Sequence, residues 1–219
     1  MPLKRPHPPD AAADAFRNGL LSFLSVGPPN SEAFVGERPP IPSVADVETG
    51  GSHAVLQGFV LSLKDAATNS GVISPPHAGW RFFAGGEQNN TVLGSVVHRR
   101  HGWKLVAVHY GNRVWQTLRA SQQLDSSLQS QVHADTYELR LLAIPGLNLE
   151  VFWLSAQKAG SVDLIHSLTL LAPVPITSSL VPAVSALRFP SGLLELPTFL
   201  AEIRPLAASL LTMQPGCGA

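Results

Sequence analysis

WRFFAGGEQNNTVLGSVVHRRHGWKLVAVHY occupies residues 80–110 and contains the pattern that decides the fold. Three runs in it, Trp80–Ala84, Thr91–His98 and Trp103–Tyr110, are rich in β-branched and aromatic residues and are typical of strands. The two stretches between them consist of Gly, Asn, His and charged residues and have the length of hairpin turns. The segment therefore predicts a three-stranded antiparallel meander.

A helix and a second meander are predicted to follow. From Asn112 onward the apolar residues recur at helical spacing, and Asn112 can cap such a helix. Tyr137–Ile144 and Leu147–Ser155 flank Pro145-Gly146, which predicts a type II turn between two strands, and Val162–Leu170 can add a further strand. We therefore predict an α+β fold in which an antiparallel sheet, built from a meander, a helix and a second meander, has its helix packed on one face.

Apolar helical segments are predicted at both termini. Asp10 to Val26 has the spacing of an amphipathic helix, and Leu196 to Met213 has it again, with Pro205 expected to kink that helix or to begin a new one. A strand followed by a short helical turn is expected from Ala54 to Leu63. The predicted division is a disordered tail at 1–9, a helix and proline-rich arm at 10–52, an α+β core domain at 53–170 and an apolar, proline-punctuated segment at 171–219.

The composition is apolar and electrically balanced. Apolar residues make up 45% of the chain and charged residues only 14%, which indicates either a surface covered by a partner or a large core beneath a neutral polar surface. Fifteen basic residues match fifteen acidic ones, so no overall field attracts nucleic acid or an anionic membrane. Positive charge is concentrated between Gly79 and Arg119, but it is modest. A nucleic-acid partner is therefore not expected.

The compartment is inferred from cysteine usage and from hydrophobic run length. Cys217 is the single cysteine and can close no intrachain disulfide, which argues against a disulfide-stabilised secreted protein. Prolines interrupt the most hydrophobic region, so no run is long enough to span a membrane, and no signal peptide is read at the start. We expect a cytoplasmic protein.

The richest polar cluster lies in and after the second predicted turn. Arginine binds phosphate and carboxylate oxygens, so these residues are candidates for ligand binding, although a hairpin turn is polar for solvation alone. His98 and His101 are three residues apart, but too few further ligands lie nearby for a metal site, and no metal or cofactor is predicted. The candidate ligand-binding residues are His98, Arg99, Arg100, His101, His109 and Tyr110.

Catalytic motifs are absent from the sequence. No Ser lies in a G-x-S-x-G pattern, and neither a P-loop nor a C-x-x-C pair occurs, so no catalytic residue is predicted. The tryptophans at 80, 103, 115 and 153 are expected in the core. Glu138, Arg140 and Glu150 alternate with apolar neighbours and are expected to face solvent or to pair across strands.

Two functional hypotheses remain open. The first is a non-catalytic interaction, adaptor or assembly component that binds another protein or a second copy of itself through its apolar terminal helices. The interface residues expected in this hypothesis are Phe199, Leu200, Ile203, Leu206, Leu210 and Leu211. The alternative is a small hydrolase for a phosphate- or carboxylate-bearing substrate, which requires His98, His109 and Tyr110 to converge in one pocket.

Overall fold

The computed structural model describes residues 3–26, 52–69, 71–85, 91–130, 136–167 and 192–213. The predicted arm lies outside these residues apart from Ser52, and so do Cys217 and most of the first half of the apolar segment at 171–219. The predicted division of the chain at residues 52 and 170 therefore stays a prediction.

The fold is α+β, with an open mixed sheet of eight strands. The strand order is β4-β3-β2-β1-β5-β6-β7-β8. In chain order the described elements are α1 (Asp10–Val26), β1 (Ser52–Val60), α2 (Leu63–Thr68), β2 (His77–Gly85), β3 (Thr91–Arg99), β4 (Gly102–Tyr110), α3 (Asn112–Ser130), β5 (Tyr137–Ile144), a 3-10 turn (Pro145–Leu147), β6 (Leu149–Ala156), β7 (Leu164–Ser167), β8 (Leu193–Glu195) and α4 (Leu196–Thr212).

The chain forms two compact units. The N-terminal unit comprises Arg5–Gln57 and Ala78–Ser127, and the C-terminal unit comprises Met1–Lys4, Gly58–His77 and Leu128–Ala219.

The N-terminal unit contains the meander that the sequence predicted. β2, β3 and β4 pair antiparallel in succession. Helix α1 packs on β3 and β4, and its Phe16 ring stacks on Phe82 with 4.8 Å between the ring centroids. Gly94 makes this contact close, since a Cβ atom there would lie 2.3 Å from Cε2 of Phe16. The helical spacing of the apolar residues thus corresponds to a buried face.

The C-terminal unit contains the second meander. β5, β6, β7 and β8 pair antiparallel in succession, and β8 is a short strand that the sequence did not predict. Helix α4 contributes to a buried cluster with β5, β6 and β7. Helix α2 lies beside α4 and is capped by Ser62, whose Oγ accepts a hydrogen bond from the Asp65 backbone N–H at 3.0 Å.

Three local predictions are corrected. The turn at Pro145-Gly146 is not type II: Pro145–Leu147 forms a 3-10 turn, and Asn148 takes the left-handed conformation with φ 50°. Leu147 belongs to this turn and is buried in the C-terminal cluster.

Of the two alternatives predicted for Pro205, the beginning of a new helix is wrong, because α4 runs through Pro205 as one helix from Leu196 to Thr212. Pro205 is exposed, and the carbonyl of residue 201 that loses its donor belongs to another exposed residue, so water can hydrate it.

The N-terminal tail is ordered from residue 3 rather than disordered. Leu3 is buried, and the Lys4 backbone bonds to both neighbours of Glu138 on β5: its N–H donates to the Tyr137 carbonyl at 2.9 Å, and its carbonyl accepts from the Leu139 N–H at 3.1 Å. Prolines limit this contact to an isolated parallel bridge, because they have no N–H to continue a ladder.

Candidate functional site

The β3–β4 hairpin carries the basic residues that the sequence singled out. Lys104 lies on β4 shortly after the turn, and its side chain is exposed. The His98 ring packs edge-on against Trp103, with 5.1 Å between the ring centroids. The exposed residues of the turn are His98, Arg99, Arg100 and His101. The hairpin therefore presents a basic, solvated tip.

His109 and Tyr110 lie at the far end of β4 from that tip. His98 pairs with Trp103, whereas His109 pairs with Leu93, six residues further along β4. Six residues of strand span about 20 Å. The alternation of the strands also places His109 on the opposite face from His98 and Tyr110. The residues that the hydrolase alternative needed in one pocket are thus separated.

His109 has an altered proton affinity. Partial burial of the ring lowers its pKa below the usual value, and the nearby Arg81 guanidinium lowers it further. The side chain nevertheless keeps a large exposed surface, so solvent screens both effects. The shift alone does not indicate catalytic chemistry.

Strand β4 is the last strand of the sheet on its side, as far as the described residues extend. In a terminal strand, every second N–H and C=O points away from the sheet and can pair with another extended chain. The register changes between Ser95 and Val96, which leaves Val106 in a bulge with 49% of its surface exposed. A bulge of this kind limits a regular hydrogen-bond ladder on this edge to the stretches of β4 on either side of Val106.

Helix α1 lies close over this edge strand. A Cβ atom at Gly19 would lie 2.7 Å from Cβ of Leu105, so glycine permits the helix backbone to approach β4 directly. Leu105 and Tyr110 are only partly buried beneath α1, as are Leu21 and Phe23 of the helix itself. Leu105 and Tyr110 therefore present partly exposed apolar side chains on the α1 side of β4, and the basic tip lies at one end of the strand.

The predicted interface helix is used within the chain. Phe199, Leu200 and Ile203 have no exposed surface and belong to the C-terminal cluster, and Leu206 and Leu210 pack against it while partly exposed. Leu211 is 38% exposed. The three fully buried side chains cannot contact a partner while α4 stays packed. The apolar pattern of this segment is explained by packing in cis.

A partly buried ion pair that the sequence did not single out as a site lies in the C-terminal unit. Nε of Arg140 donates to Oε1 of Glu138 at 2.7 Å, and the guanidinium carbon lies 4.8 Å from the ring centroid of Trp153 and 5.0 Å from that of Phe59. The Trp153 ring is held in turn by Asp163, whose Oδ2 accepts from its Nε1 at 2.8 Å.

The expectation that Glu138 faces solvent is wrong, whereas Arg140 is partly exposed. Glu138 is 8% exposed, and Arg140 pairs with it along the same strand rather than across strands. The cross-strand neighbour of Arg140 is Trp153, which supplies an aromatic face instead of a charge. Residues two apart on a strand share a face, so the pattern Glu138-x-Arg140 opposite a tryptophan was the signal available in the sequence.

Metal and membrane signals are both lacking in the described part of the chain. No group of three or more His, Cys, Asp or Glu residues there is placed to hold a metal ion. None of the helices in the described ranges combines the length and apolar character needed to cross a bilayer.

Comparison with protein-family models, curated proteins and solved structures gives no significant match, so the functional inference depends on the geometry of this chain.

Proposed function

We propose that this chain is a non-catalytic interaction protein that binds an extended, acidic segment of a partner protein along the edge of β4. The observation that carries the proposal is the combination of a nine-residue terminal strand with exposed basic side chains at its hairpin end. Extended peptides bind such edges by main-chain hydrogen bonds, and alternate side chains provide specificity.

Charge complementarity determines the kind of partner. The side chains of Arg99, Arg100 and Lys104 make no hydrogen bond, ion pair or ring contact with any described residue, so their charges are available to a ligand. Arg99 and Lys104 lie on the face opposite α1, as the register shows. A bound strand would therefore place acidic side chains on that face.

The other face of the bound strand would meet apolar surface. Leu105 and Tyr110 of β4 point to the α1 side, where Leu21 and Phe23 are also partly exposed. A segment that alternates apolar and acidic residues matches both faces, because successive side chains of a strand point to opposite sides. The docking surface in this proposal is β4 rather than α4, because three of the predicted α4 residues, Phe199, Leu200 and Ile203, are fully buried.

The test measures binding of a fluorescein-labelled synthetic peptide with alternating valine and glutamate to the full chain by fluorescence anisotropy. The matched control peptide alternates valine and lysine. We expect the acidic peptide to bind at least about tenfold more tightly than the basic one at low salt, and to weaken as salt increases. N-methylation of alternate peptide bonds should abolish binding, because it removes the main-chain donors.

Charge reversal on the protein provides a second test. The triple substitution Arg99→Glu, Arg100→Glu and Lys104→Glu should reduce the affinity for the acidic peptide by about tenfold or more. The control is Lys64→Glu, an exposed charge reversal on α2, which should leave this affinity unchanged. Equal binding of both peptides, or binding that survives N-methylation, would disprove strand addition. A dimer that persists in the triple variant would indicate a second copy on this edge instead.

A further inference from the structure

The Arg140 guanidinium is fixed in position by groups that leave part of it unused. Trp153 and Phe59 both provide an aromatic face about 5 Å from the guanidinium carbon, an arrangement that restricts its rotation. The Phe59 ring is itself packed edge-on against both Trp153 and His77. Aromatic contacts thus restrict the position of the guanidinium.

Glu138 occupies only one donor of this guanidinium. The carboxylate accepts from Nε at 2.7 Å, and neither Nη nitrogen has a hydrogen-bond partner among the described residues. The Arg140 side chain has 21% of its surface exposed. Its Nη nitrogens are not among the buried polar atoms that lack a hydrogen-bond partner. Both Nη groups therefore reach solvent and present a pair of parallel donors.

A pair of parallel N–H donors matches a carboxylate or a phosphate. The surroundings favour the less charged of the two. Glu138 already lies against the guanidinium, and the Asp163 carboxylate lies against the neighbouring Trp153 ring, so a dianion would be repelled more strongly than a monoanion. The partly exposed Phe59 ring offers contact to an apolar group attached to the anion.

We propose that the two Nη groups of Arg140 form a binding site for a carboxylate that bears an apolar or aromatic substituent. Glu138 and the two rings orient the arginine, and the carboxylate oxygens of the ligand accept from Nη1 and Nη2. This site lies in the C-terminal unit and does not depend on strand addition at β4.

The test follows the resonances of the Trp153 indole N–H and the Arg140 Nε–H by NMR while N-acetylphenylalanine is added to the full chain. The matched control is N-acetylphenylalanine amide, which lacks the carboxylate. We expect saturable shifts of both resonances with a dissociation constant of about 1–10 mM for the acid and none for the amide. Benzoate distinguishes a free small acid from a peptide-like carboxylate, and inorganic phosphate tests the other anion class.

Two variants separate recognition from a purely structural role. Arg140→Lys keeps the positive charge but lacks the paired donors. It should reduce the affinity for N-acetylphenylalanine by about tenfold. Glu138→Gln removes the competing charge and retains the arginine. It should increase the affinity for N-acetylphenylalanine by a few-fold. Absence of shifts with both the wild type and Glu138→Gln, or equal effects of acid and amide, would overturn the proposal. Tighter binding of phosphate than of the acid would overturn the carboxylate assignment.

Discussion

Arg99 and Arg100 in the N-terminal unit differ from Arg140 in the C-terminal unit in how their charge is used. The first two stand next to each other in a turn, are conspicuous in the sequence, and extend into solvent. Arg140 stands alone among apolar neighbours and contacts two aromatic rings and a buried carboxylate. Clustered charge thus marked a solvated surface here, whereas isolated charge in an apolar strand marked a packed ionic group.

The apolar residues of α4 show the same contrast between pattern and position, and they give the largest expected effect. Phe199→Ala should destabilise the protein by about 3–5 kcal/mol, because it empties a fully buried site in the C-terminal cluster. Leu211→Ala on the same helix should change stability by less than about 0.5 kcal/mol, since this side chain is exposed. Urea unfolding followed by tryptophan fluorescence measures both, and equal effects would contradict the packing of α4 in cis.

The contrast between arginines gives the next effect. Arg140→Ala should cost about 2–3 kcal/mol, because it removes two cation–π contacts and leaves the nearly buried Glu138 carboxylate without its partner. Arg99→Ala should remain within about 0.5 kcal/mol of the wild type. The measurement is again the free energy of unfolding in urea. If Arg99→Ala reduced the free energy of unfolding as much as Arg140→Ala, Arg140 would not be more tightly packed than Arg99.

Close packing of α1 in the N-terminal unit can be tested through glycine. Gly94→Ala should cost about 1–3 kcal/mol, since the new methyl group overlaps the Phe16 ring and displaces it from Phe82. Gly71→Ala is the matched control, because a Cβ atom there meets its nearest neighbour, Pro197, at an ordinary 3.6 Å. The double variant Gly94→Ala with Phe16→Leu should recover part of the stability. No recovery would indicate that the helix does not lie over Gly94.

The smallest effect is a dependence of stability on pH. Burial lowers the pKa of His166 below its ordinary 6.5, and the pKa of His109 is lowered by burial and by Arg81. Both pKa values are lower in the folded state than in the unfolded state. Below about pH 6.5 the folded state therefore binds fewer protons than the unfolded state does, and protonation favours unfolding. The stabilisation is complete above that pH and is lost progressively below it.

The two histidines should differ in this respect. His166 has a buried Nδ1 without a hydrogen-bond partner among the described residues, whereas the His109 side chain keeps part of its surface exposed. His166→Asn should therefore reduce the acid sensitivity of the urea midpoint more than His109→Asn does. An identical midpoint at about pH 8 and about pH 5 in the wild type would show that neither shift contributes measurably.

Much of the fold was predictable, because the responsible signals are local. The bounds of α1 were predicted correctly, and those of β2, β3 and β4 within about three residues, from the spacing of apolar residues and the glycine-rich turns. The short strand β8 was missed. It contains only three residues, Leu193–Glu195, and depends on pairing with β7 rather than on a pattern of its own.

The candidate sites were predicted less well than the fold. His98 and His109 are eleven positions apart in the sequence and look like neighbours there, yet they lie on the adjacent strands β3 and β4, at opposite ends of the hairpin. The Glu138–Arg140 pair was visible as a charge pattern, but its burial depends on Phe59 and Trp153, which reach it from other strands. Contacts between distant segments are not encoded in any single window of sequence.

The sequence by itself determined the α+β class, the two meanders and the apolar faces of the helices, because strand alternation, helical spacing and turn composition act over a few residues. Only the tertiary structure decided which charges are exposed and which apolar residues are free for a partner. Burial depends on what packs against a side chain, and for Arg140 and for Phe199 the packing groups come from segments far away along the chain.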